Sequence, residues 1–405
     1  MAMPLEGVRV MDWTIWQLGP VATAMLGDLG AEVIKIEERE RGDPGRGMFR
    51  VRGLSAEMAE GRNFYFETNN RNKKSMTLDI RKEGAREVVY RMAEKCDVFV
   101  QNFRQGVAAK WGLDYPALSR RNPRIIYATA SGYGPLGPDS REPAMDYLGL
   151  ARSGIMNAMG EPGMDPLGVV GGLADQMGAI VTAYGVLAAV VARERYGVGQ
   201  EVDVSHLGSM TALQALNVAA ACLLGRELPR QERAMAFNPL WNHYQCGDKR
   251  WLALAHLQPD RYWPDFCRAM GVPELESDPR FEDAQCREEN GGELVAILDK
   301  IFATRSCDDW LAHLKKTGDF ICTRVNTVTD LVKDPQIIEN EYIQDFDHPV
   351  LGKIKIVGLP VRLSKTPGSV RLAAPDFGQH TEEVLQEVAG YTWEEIEKLK
   401  QEGVI

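Results

Sequence analysis

The sequence lacks the cysteine pattern of a disulfide framework or of a zinc site. Its 405 residues include seven cysteines, an odd number, and no two of them lie closer together than 15 residues. This spacing excludes the CxxC motifs of zinc and thiol-redox proteins. We therefore expect reduced thiols, a cytoplasmic location and no metal site.

Signals for export and for membrane insertion are also scarce. The first six residues have neither a basic segment nor an apolar core, so we expect no signal peptide. The apolar runs near 179–192 and 210–224 are shorter than a membrane-spanning helix requires. We expect no association with a membrane.

Positive charge is in deficit as well. The formal net charge is −10, which argues against a nucleic-acid partner. What is present is the composition of an ordinary globular protein, with 44% hydrophobic and 26% charged residues. The length allows two domains and a large core.

Apolar strands alternate with helical segments in the first half of the chain. Residues 8–12 predict a strand, 20–30 a helix and 31–37 a second strand, which together make a βαβ unit. The pattern continues with strands at 75–80, 97–101 and 124–129, and with helices at 84–95 and near 106–119. We predict a Rossmann-like α/β domain with an open parallel sheet and functional turns at the carboxyl ends of its strands. The first turn, Trp13–Pro20, has no GxGxxG motif, which disfavours a dinucleotide-binding site.

The composition and the secondary-structure pattern of the sequence change after residue 224. A charged, proline-containing segment is followed by a hairpin pattern at 242–252 and then by short helical patterns to about 316. We therefore predict three segments: a large domain at 1–224, a smaller α+β domain at 225–330, and a C-terminal segment at 331–405 that returns to the large domain. A helix at 206–224, strands within 350–363 and a closing helix at 380–402 complete the prediction.

Three polar turns stand out in this acidic chain: Asn69–Ser75, Gln101–Gly106 and Ser131–Gly134. Each has an ordinary interpretation as a solvated turn. Together they suggest one edge of the sheet that binds a ligand with phosphates and an adenine-like ring. We expect the three turns to converge.

Asp175 is the lone carboxylate of the window Gly171–Gly178, which precedes an apolar run at 179–192 that predicts a buried helix. An acidic residue in the first turn of a helix commonly caps it, and this window alone favours that interpretation. The alternative is a reactive carboxylate in a cleft, with the two glycines leaving room for a substrate.

Several motifs, taken in their order and spacing, resemble those of the class III CoA-transferases. They are Leu29–Glu37, Asn70–Ser75, Asn102–Arg104, Gly199–Val204 and Ala374–Thr381. The resemblance covers essentially the whole chain. It implies that Asp175 is a nucleophile, which reverses the preference for the capping role. It also implies that two chains form a dimer of interlocked rings, or that the chain forms a heteromer with a homologous subunit.

The resemblance also implies the chemistry and the remaining site residues. Asp175 would attack an acyl-CoA, forming a mixed anhydride and then an aspartyl-CoA thioester, with Gln17 beside it as support for the oxyanion. CoA, a substrate here, would be held by Arg39, Asn72, Lys73, Asn102, Phe103, Arg104 and Tyr133.

The sequence departs from the family pattern at three places. Glu38 stands where a basic residue is frequent, and Ile15 stands where formyl-CoA transferase has a histidine. Residues 237–242 replace a glycine-rich loop.

Apolar candidates for the lining of the pocket are Trp13, Trp16, Met48, Phe49, Met145, Met156 and Trp241. An apolar pocket suggests an aromatic or branched acceptor. The resemblance implies benzylsuccinate first, with succinyl-CoA as the donor, and carnitine- or bile-acid-type transfer next.

Two alternatives share the fold. An α-methylacyl-CoA racemase would need a histidine in place of Met145, because a thioether cannot transfer a proton. A partner subunit that binds CoA without catalysis would not need Asp175.

Overall fold

The computed structural model describes residues 2–405 and divides the chain into two units, each with its own hydrophobic core. The first unit comprises Met1–Met156, Gly168–Arg226 and Pro335–Ile405. The second comprises Asn157–Leu167 and Glu227–Asp334. Short 3-10 helices lie at Pro44–Gly47, Ala59–Gly61, Arg233–Met235 and Pro273–Ser277.

Up to residue 224, at least one helix separates each two consecutive strands of the large parallel sheet. In chain order the elements are β1 (Arg9–Trp13), α1 (Leu18–Asp28), β2 (Glu32–Glu38), β3 (Arg50–Val51), β4 (Leu54–Ser55), α2 (Phe64–Asn69), β5 (Lys73–Leu78), α3 (Glu83–Ala93), β6 (Val98–Gln101), α4 (Val107–Lys110), α5 (Tyr115–Arg121), β7 (Ile126–Ser131), α6 (Asp146–Arg152), α7 (Ile155–Ala158), α8 (Leu173–Tyr196), β8 (Gln200–Ser205), α9 (His206–Leu213) and α10 (Ala215–Leu224).

A six-stranded sheet forms the centre of the first unit, in the order β5-β2-β1-β6-β7-β8. All of its neighbouring strands are parallel, which confirms the predicted α/β class. The strand order reverses between β1 and β6, where Trp13 pairs with Gln101. The loops that leave these two strands therefore diverge and open a crevice, the usual place for a ligand in such sheets.

Helix α8 is longer than the apolar run that predicts it. Its buried residues follow one face, at Ala174, Gly178, Thr182 and Val186, and it packs on α1, β7 and β8. At Gly178 a Cβ would lie 2.7 Å from Leu18, so the small residue allows α1 to approach closely. With 24 residues the helix has the length and composition of a membrane span, but core helices share that property. Its packed face fits a core helix.

The second unit combines helices with an antiparallel sheet. Its elements are β9 (His243–Gln245), β10 (Trp251–Leu254), α11 (Pro259–Met270), α12 (Ala284–Glu289), α13 (Gly291–Phe302), α14 (Cys307–Thr317), β11 (Cys322–Val325) and α15 (Val328–Leu331). The predicted hairpin at 242–252 is confirmed, because β9 and β10 pair antiparallel.

The C-terminal segment contributes to the core of the first unit. Its elements are α16 (Pro335–Glu339), the hairpin of β12 (Ile343–His348) and β13 (Gly352–Val357), α17 (Thr381–Glu387) and α18 (Trp393–Gln401). Val384, Leu385, Ile396 and Leu399 are buried in the same cluster as Met76 of β5. The segment thus covers one face of the sheet.

Candidate active site

The loop after β1 is tied to the loop after β6, across the crevice. The Ile15 N–H donates to Asn102 Oδ1 at 2.9 Å, and Asn102 Nδ2 donates to the Ile15 carbonyl at 2.7 Å. Trp16 follows with φ of 67°, a left-handed conformation, and its N–H donates to Asp43 at 3.1 Å. Such a conformation costs about 1–3 kcal/mol in a non-glycine residue. These hydrogen bonds hold the loop in the shape that presents Gln17.

Two buried ion pairs also stabilise the loop that follows β1. Lys35 pairs with Asp43 at 2.7 Å and donates to the Thr14 carbonyl at 3.0 Å. Lys73 pairs with Asp12 at 2.8 Å. Burial opposes the ionisation of Asp12, but the charges of Lys73 and Lys35 and the hydrogen bonds from Lys73 and Thr14 together lower its pKa. Burial lowers the pKa of Lys73 to about 8.

Lys73 and Asn72 were predicted to hold CoA, and the structure corrects both assignments. They lie at the amino-terminal end of β5, whereas the crevice lies at carboxyl ends. The Lys73 ammonium is buried on Asp12, so it has no access to a ligand. The Asn72 side chain donates to Asp28 at 2.8 Å and accepts N–H groups from Arg371 and Leu372 at 2.7 and 2.9 Å. This turn anchors the returning C-terminal segment, and only the other two predicted polar turns lie at strand ends that face the crevice.

Helix α8 is capped by a residue from a distant segment. Its N-cap position is Gly172, which has no side chain to offer. Asp146 Oδ1 accepts the N–H groups of Ala174 and Asp175 at 2.7 and 3.2 Å. Burial raises the pKa of Asp146, and the negative charge of Asp175 adds to the effect. Asp146 therefore accepts the N–H groups that a capping side chain would take, while Asp175 stays in the first turn with its carboxylate free of that role.

The Asp175 carboxylate meets a histidine that sequence reasoning missed. Its Oδ1 lies 2.8 Å from Nε2 of His206, and their side chains are 16% and 8% exposed. A carboxylate only accepts hydrogen bonds, so Nε2 carries the donated proton. His206 begins α9 directly after the carboxyl end of β8, at the edge of the sheet where the other site residues lie. That position was the one available signal.

Gln17 packs against the start of α8. Its Nε2 donates to the Gly171 carbonyl at 3.3 Å. A Cβ at Gly172 would lie only 2.6 Å from Gln17 Oε1, and the φ of 75° already favours glycine there. The sequence predicted that these glycines leave room for a substrate. At Gly172 the room is instead occupied by the Gln17 carboxamide.

A cavity of about 390 Å³ opens beside the carboxylates of Asp146 and Asp175. Its lining includes Asp146, Asp175, His206, Tyr65, Trp16, Met145, Ser131, Gly132 and the segment 102–105. Burial raises the pKa of Tyr65, and the charges of Asp175 and Asp43 raise it further, so its hydroxyl stays protonated. The cavity thus combines carboxylates and the Arg104 guanidinium with neutral donors and apolar walls.

A second cavity of about 560 Å³ shares Ile15, Phe103 and Val107 with the first. Arg41 lies on its wall, and Trp13 lies there rather than in the first cavity. Trp13 packs on Phe103 with ring centroids 4.3 Å apart. A long ligand can therefore reach from one cavity to the other along Phe103.

The remaining predicted CoA contacts are distributed around these cavities. Arg104 lines the first cavity and is exposed, and no hydrogen bond or ion pair within residues 2–405 engages its guanidinium. Tyr133 follows the end of β7, with the guanidinium of Arg152 4.8 Å from its ring centre. Arg39 lines neither cavity, and its Nε donates to the Ile405 carbonyl at 2.7 Å.

Comparison with known proteins gives a full-length match. The family model for CoA-transferase family III matches residues 5–381. Succinyl-CoA:glutarate CoA-transferase of Mus musculus is 32% identical, over 99% of this chain and 90% of that protein. Succinyl-CoA–D-citramalate CoA-transferase of Chloroflexus aurantiacus is 31% identical, over 99% of this chain and 98% of that protein.

A solved structure agrees with these sequence matches. The crystal structure of a CaiB/BaiF family protein from Brucella suis superposes with a TM-score of 0.84 at 28% identity, over 96% of this chain and 100% of that chain. The motifs that first suggested the family therefore lie within a region that matches known proteins in both sequence and fold. The chain belongs to CoA-transferase family III, and it is an enzyme of that family.

Proposed function

We propose that this enzyme transfers CoA from succinyl-CoA to a carboxylic acid through covalent intermediates on Asp175. The observation that carries the proposal is the position of this carboxylate. Asp146 caps the helix in its place, one of its oxygens is held by His206, and the side chain borders the cavity. A carboxylate placed in this way can attack a thioester directly and form a covalent intermediate without a general base.

The reaction then proceeds by four acyl substitutions. Asp175 attacks the thioester carbon, and the mixed anhydride forms as the CoA thiolate leaves. The thiolate attacks Cγ of Asp175, which gives the aspartyl-CoA thioester and releases the donor acid. The acceptor carboxylate attacks the same Cγ and displaces the thiolate, which finally attacks the acceptor acyl carbon and frees Asp175. Each attacking group is an anion, so no step consumes a proton.

The binding of CoA is proposed along Phe103. Its two neighbouring cavities suit a molecule that has a thioester at one end and phosphates at the other. The free guanidinium of Arg104 is suited to a phosphate, and Tyr133 and Arg39 remain proposed contacts. Asn102 contributes by fixing the loop through Ile15. Gln17 is proposed as an oxyanion donor, since only its weak hydrogen bond to Gly171 occupies the carboxamide.

The identity of the acids is proposed from two kinds of support. Relatives whose names specify succinyl-CoA support that donor. The named acceptors, glutarate and D-citramalate, are dicarboxylic acids. Trp16 and Met145 on the wall of the first cavity favour an apolar substituent, which keeps benzylsuccinate, a substituted succinate, as the proposed acceptor. An assay of succinyl-CoA against glutarate, citramalate, succinate and benzylsuccinate would rank them.

The covalent mechanism is tested at Asp175. We expect Asp175→Ala to abolish transfer and to retain CoA binding, because the proposed phosphate contacts lie elsewhere. Mass spectrometry of the quenched wild-type enzyme with succinyl-CoA should locate an adduct on Asp175. Full transfer by the variant, or an adduct on a cysteine, would refute the proposal. Exchange of deuterium at the substrate α-carbon would indicate racemase chemistry instead.

The assembly is proposed to be a dimer of two copies or of two homologous chains. The helices α8 to α10 expose a series of large apolar side chains: Ile180, Tyr184, Val191, Leu213, Leu216 and Leu223. Such an apolar surface is typical of a subunit interface. Light scattering of the purified chain should give twice the mass of 45.1 kDa if two copies suffice. The free thiols support the proposed cytoplasmic location.

A further inference from the structure

We propose that His206 is a catalytic residue, the hydrogen-bond donor to the oxyanion that forms on Asp175 itself. The inference deepens the proposed function and rests on it. Its starting point is the 2.8 Å contact between His206 Nε2 and Asp175 Oδ1. Because Oδ1 is held in this way, Oδ2 is the oxygen left to attack the thioester. Oδ1 then becomes the carbonyl oxygen of the anhydride and of the aspartyl thioester.

The four substitutions place their negative charge at two different sites. When Asp175 attacks the donor, and when the thiolate attacks the acceptor acyl carbon, the charge develops on an oxygen of the substrate. When the thiolate or the acceptor carboxylate attacks Cγ, the π bond between Cγ and Oδ1 breaks, and the negative charge develops on Oδ1. The bond from Cγ to the leaving carboxylate or thiolate then breaks, and the carbonyl re-forms.

His206 is placed for the second kind of step only. Donors that stabilise an oxyanion lie about 2.7–3.1 Å from the atom that becomes charged. Nε2 meets this condition in the resting enzyme, at 2.8 Å from Oδ1. The donor therefore needs no rearrangement when Oδ1 becomes charged. The proton remains on Nε2 throughout, so the step balances without proton transfer.

The surroundings of His206 exclude a role as a proton relay. Its Nδ1 is buried, and within residues 2–405 it has no hydrogen-bond partner. A second proton on Nδ1 would be a buried donor without an acceptor, which is costly. With its proton on Nε2 alone, the ring donates to Asp175 and leaves no buried donor without an acceptor.

The test separates the two kinds of step with two variants. His206→Leu removes the donor at similar volume, and His206→Gln retains an N–H group. Each is mixed with succinyl-CoA, quenched at intervals and analysed by intact mass, which distinguishes a succinyl adduct from a CoA adduct on Asp175. We expect His206→Leu to form the CoA adduct roughly 100- to 1,000-fold more slowly than the wild type, the loss typical of one oxyanion donor. The succinyl adduct should then accumulate, and His206→Gln should recover part of the rate.

A second measurement uses the exchange of labelled succinate into succinyl-CoA without an acceptor. This exchange requires attack on Cγ, so it should slow by the same factor. Formation of the CoA adduct at the wild-type rate in His206→Leu would overturn the proposal. Equal loss of both adducts would also overturn it, because His206 would then serve the first attack. A wild-type enzyme without any adduct on Asp175 would instead refute the proposed function.

Discussion

Replacement of Gly172 by alanine tests whether Gln17 is held where the reaction needs it. A Cβ at this position would lie 2.6, 2.7 and 2.8 Å from Oε1, Nε2 and Cδ of Gln17. The carboxamide is the mobile end of a flexible side chain, so it would move rather than the backbone. Ordinary contact distances begin near 3.5 Å, which requires a displacement of about 1 Å. That displacement breaks the hydrogen bond to the Gly171 carbonyl.

The neighbouring glycine supplies a matched control. Gly171 also has a positive φ, 96°, but a Cβ there would meet nothing within 4 Å among the described residues. Both variants incur left-handed strain, about 1–2 kcal/mol of stability each. Only Gly172→Ala displaces Gln17. If Gln17 supports an oxyanion, this variant should lose roughly 100- to 1,000-fold in kcat, whereas Gly171→Ala should stay within a few-fold of the wild type.

The assay is the steady-state rate of CoA transfer, measured beside the melting temperature of each variant. A double-mutant cycle with Gln17→Ala tests whether Gly172→Ala lowers kcat by displacing Gln17. In that background Gly172→Ala should have no further effect on kcat, because there is no carboxamide left to displace. Equal kcat for the two glycine variants would refute the reasoning. So would a full loss of activity from Gly172→Ala in the Gln17→Ala enzyme.

Three further predictions concern the surroundings of the site. Asp146→Ala should lower the stability of the first unit by about 1–2 kcal/mol and reduce kcat, because it removes the cap of the helix that carries Asp175. Asp146→Asn retains the hydrogen-bond acceptor, so it should keep most of the stability and most of kcat. Thermal melts and initial rates measure the two effects. Burial opposes the ionisation of Glu37, but Arg46 and Lys35 lower its pKa from 4.5 to about 2, so its contribution is present above pH 4.5 and is lost as the pH falls towards 2. At 1.36 kcal/mol per pH unit the loss is about 3 kcal/mol, and Glu37→Gln should flatten denaturation curves measured across this range. Arg104→Ala should raise the KM for acyl-CoA by roughly 10-fold with little change in kcat, as expected for one lost charge-assisted hydrogen bond, whereas Asn72→Ala should lower the melting temperature and leave KM unchanged.

The sheet was predictable because its strands are short apolar runs separated by helical patterns. The errors in the helices have two different origins. Predicted helices at 106–119 and 380–402 are each interrupted at a glycine with positive φ, Gly112 and Gly390, and these glycines were visible signals. The helix predicted at 206–224 bends by 81° between α9 and α10, at Gln214, with no glycine or proline to mark the break. Here the apolar pattern continues through the bend, where Gln214 Nε2 donates to the carbonyls of Met210 and Ser153.

Part of the cavity lining was predictable because it follows the end of a strand. Asn102, Phe103 and Arg104 follow β6, so the parallel sheet itself places them at the crevice. The turn that contains Asn72 resembles them in composition but precedes its strand, so it lies at the opposite end of β5. Polar composition alone does not distinguish a ligand contact from an anchor for another segment. Only the direction of the strand separates the two.

The roles of Asp146 and Asp175 could not be assigned by rules that consider only the residues next to a helix. Capping rules consider the residues next to a helix, and at α8 those residues are glycines followed by one aspartate. The rule thus assigns the cap to Asp175, since it cannot include a carboxylate that tertiary structure brings from α6. Once Asp146 accepts the free N–H groups of α8, Asp175 lies at the positive end of the helix dipole with its oxygens uncommitted to the backbone. The same fold directs His206 to one of those oxygens and leaves the other to the substrate, so two carboxylates close in space acquire separate roles from their hydrogen-bond partners alone.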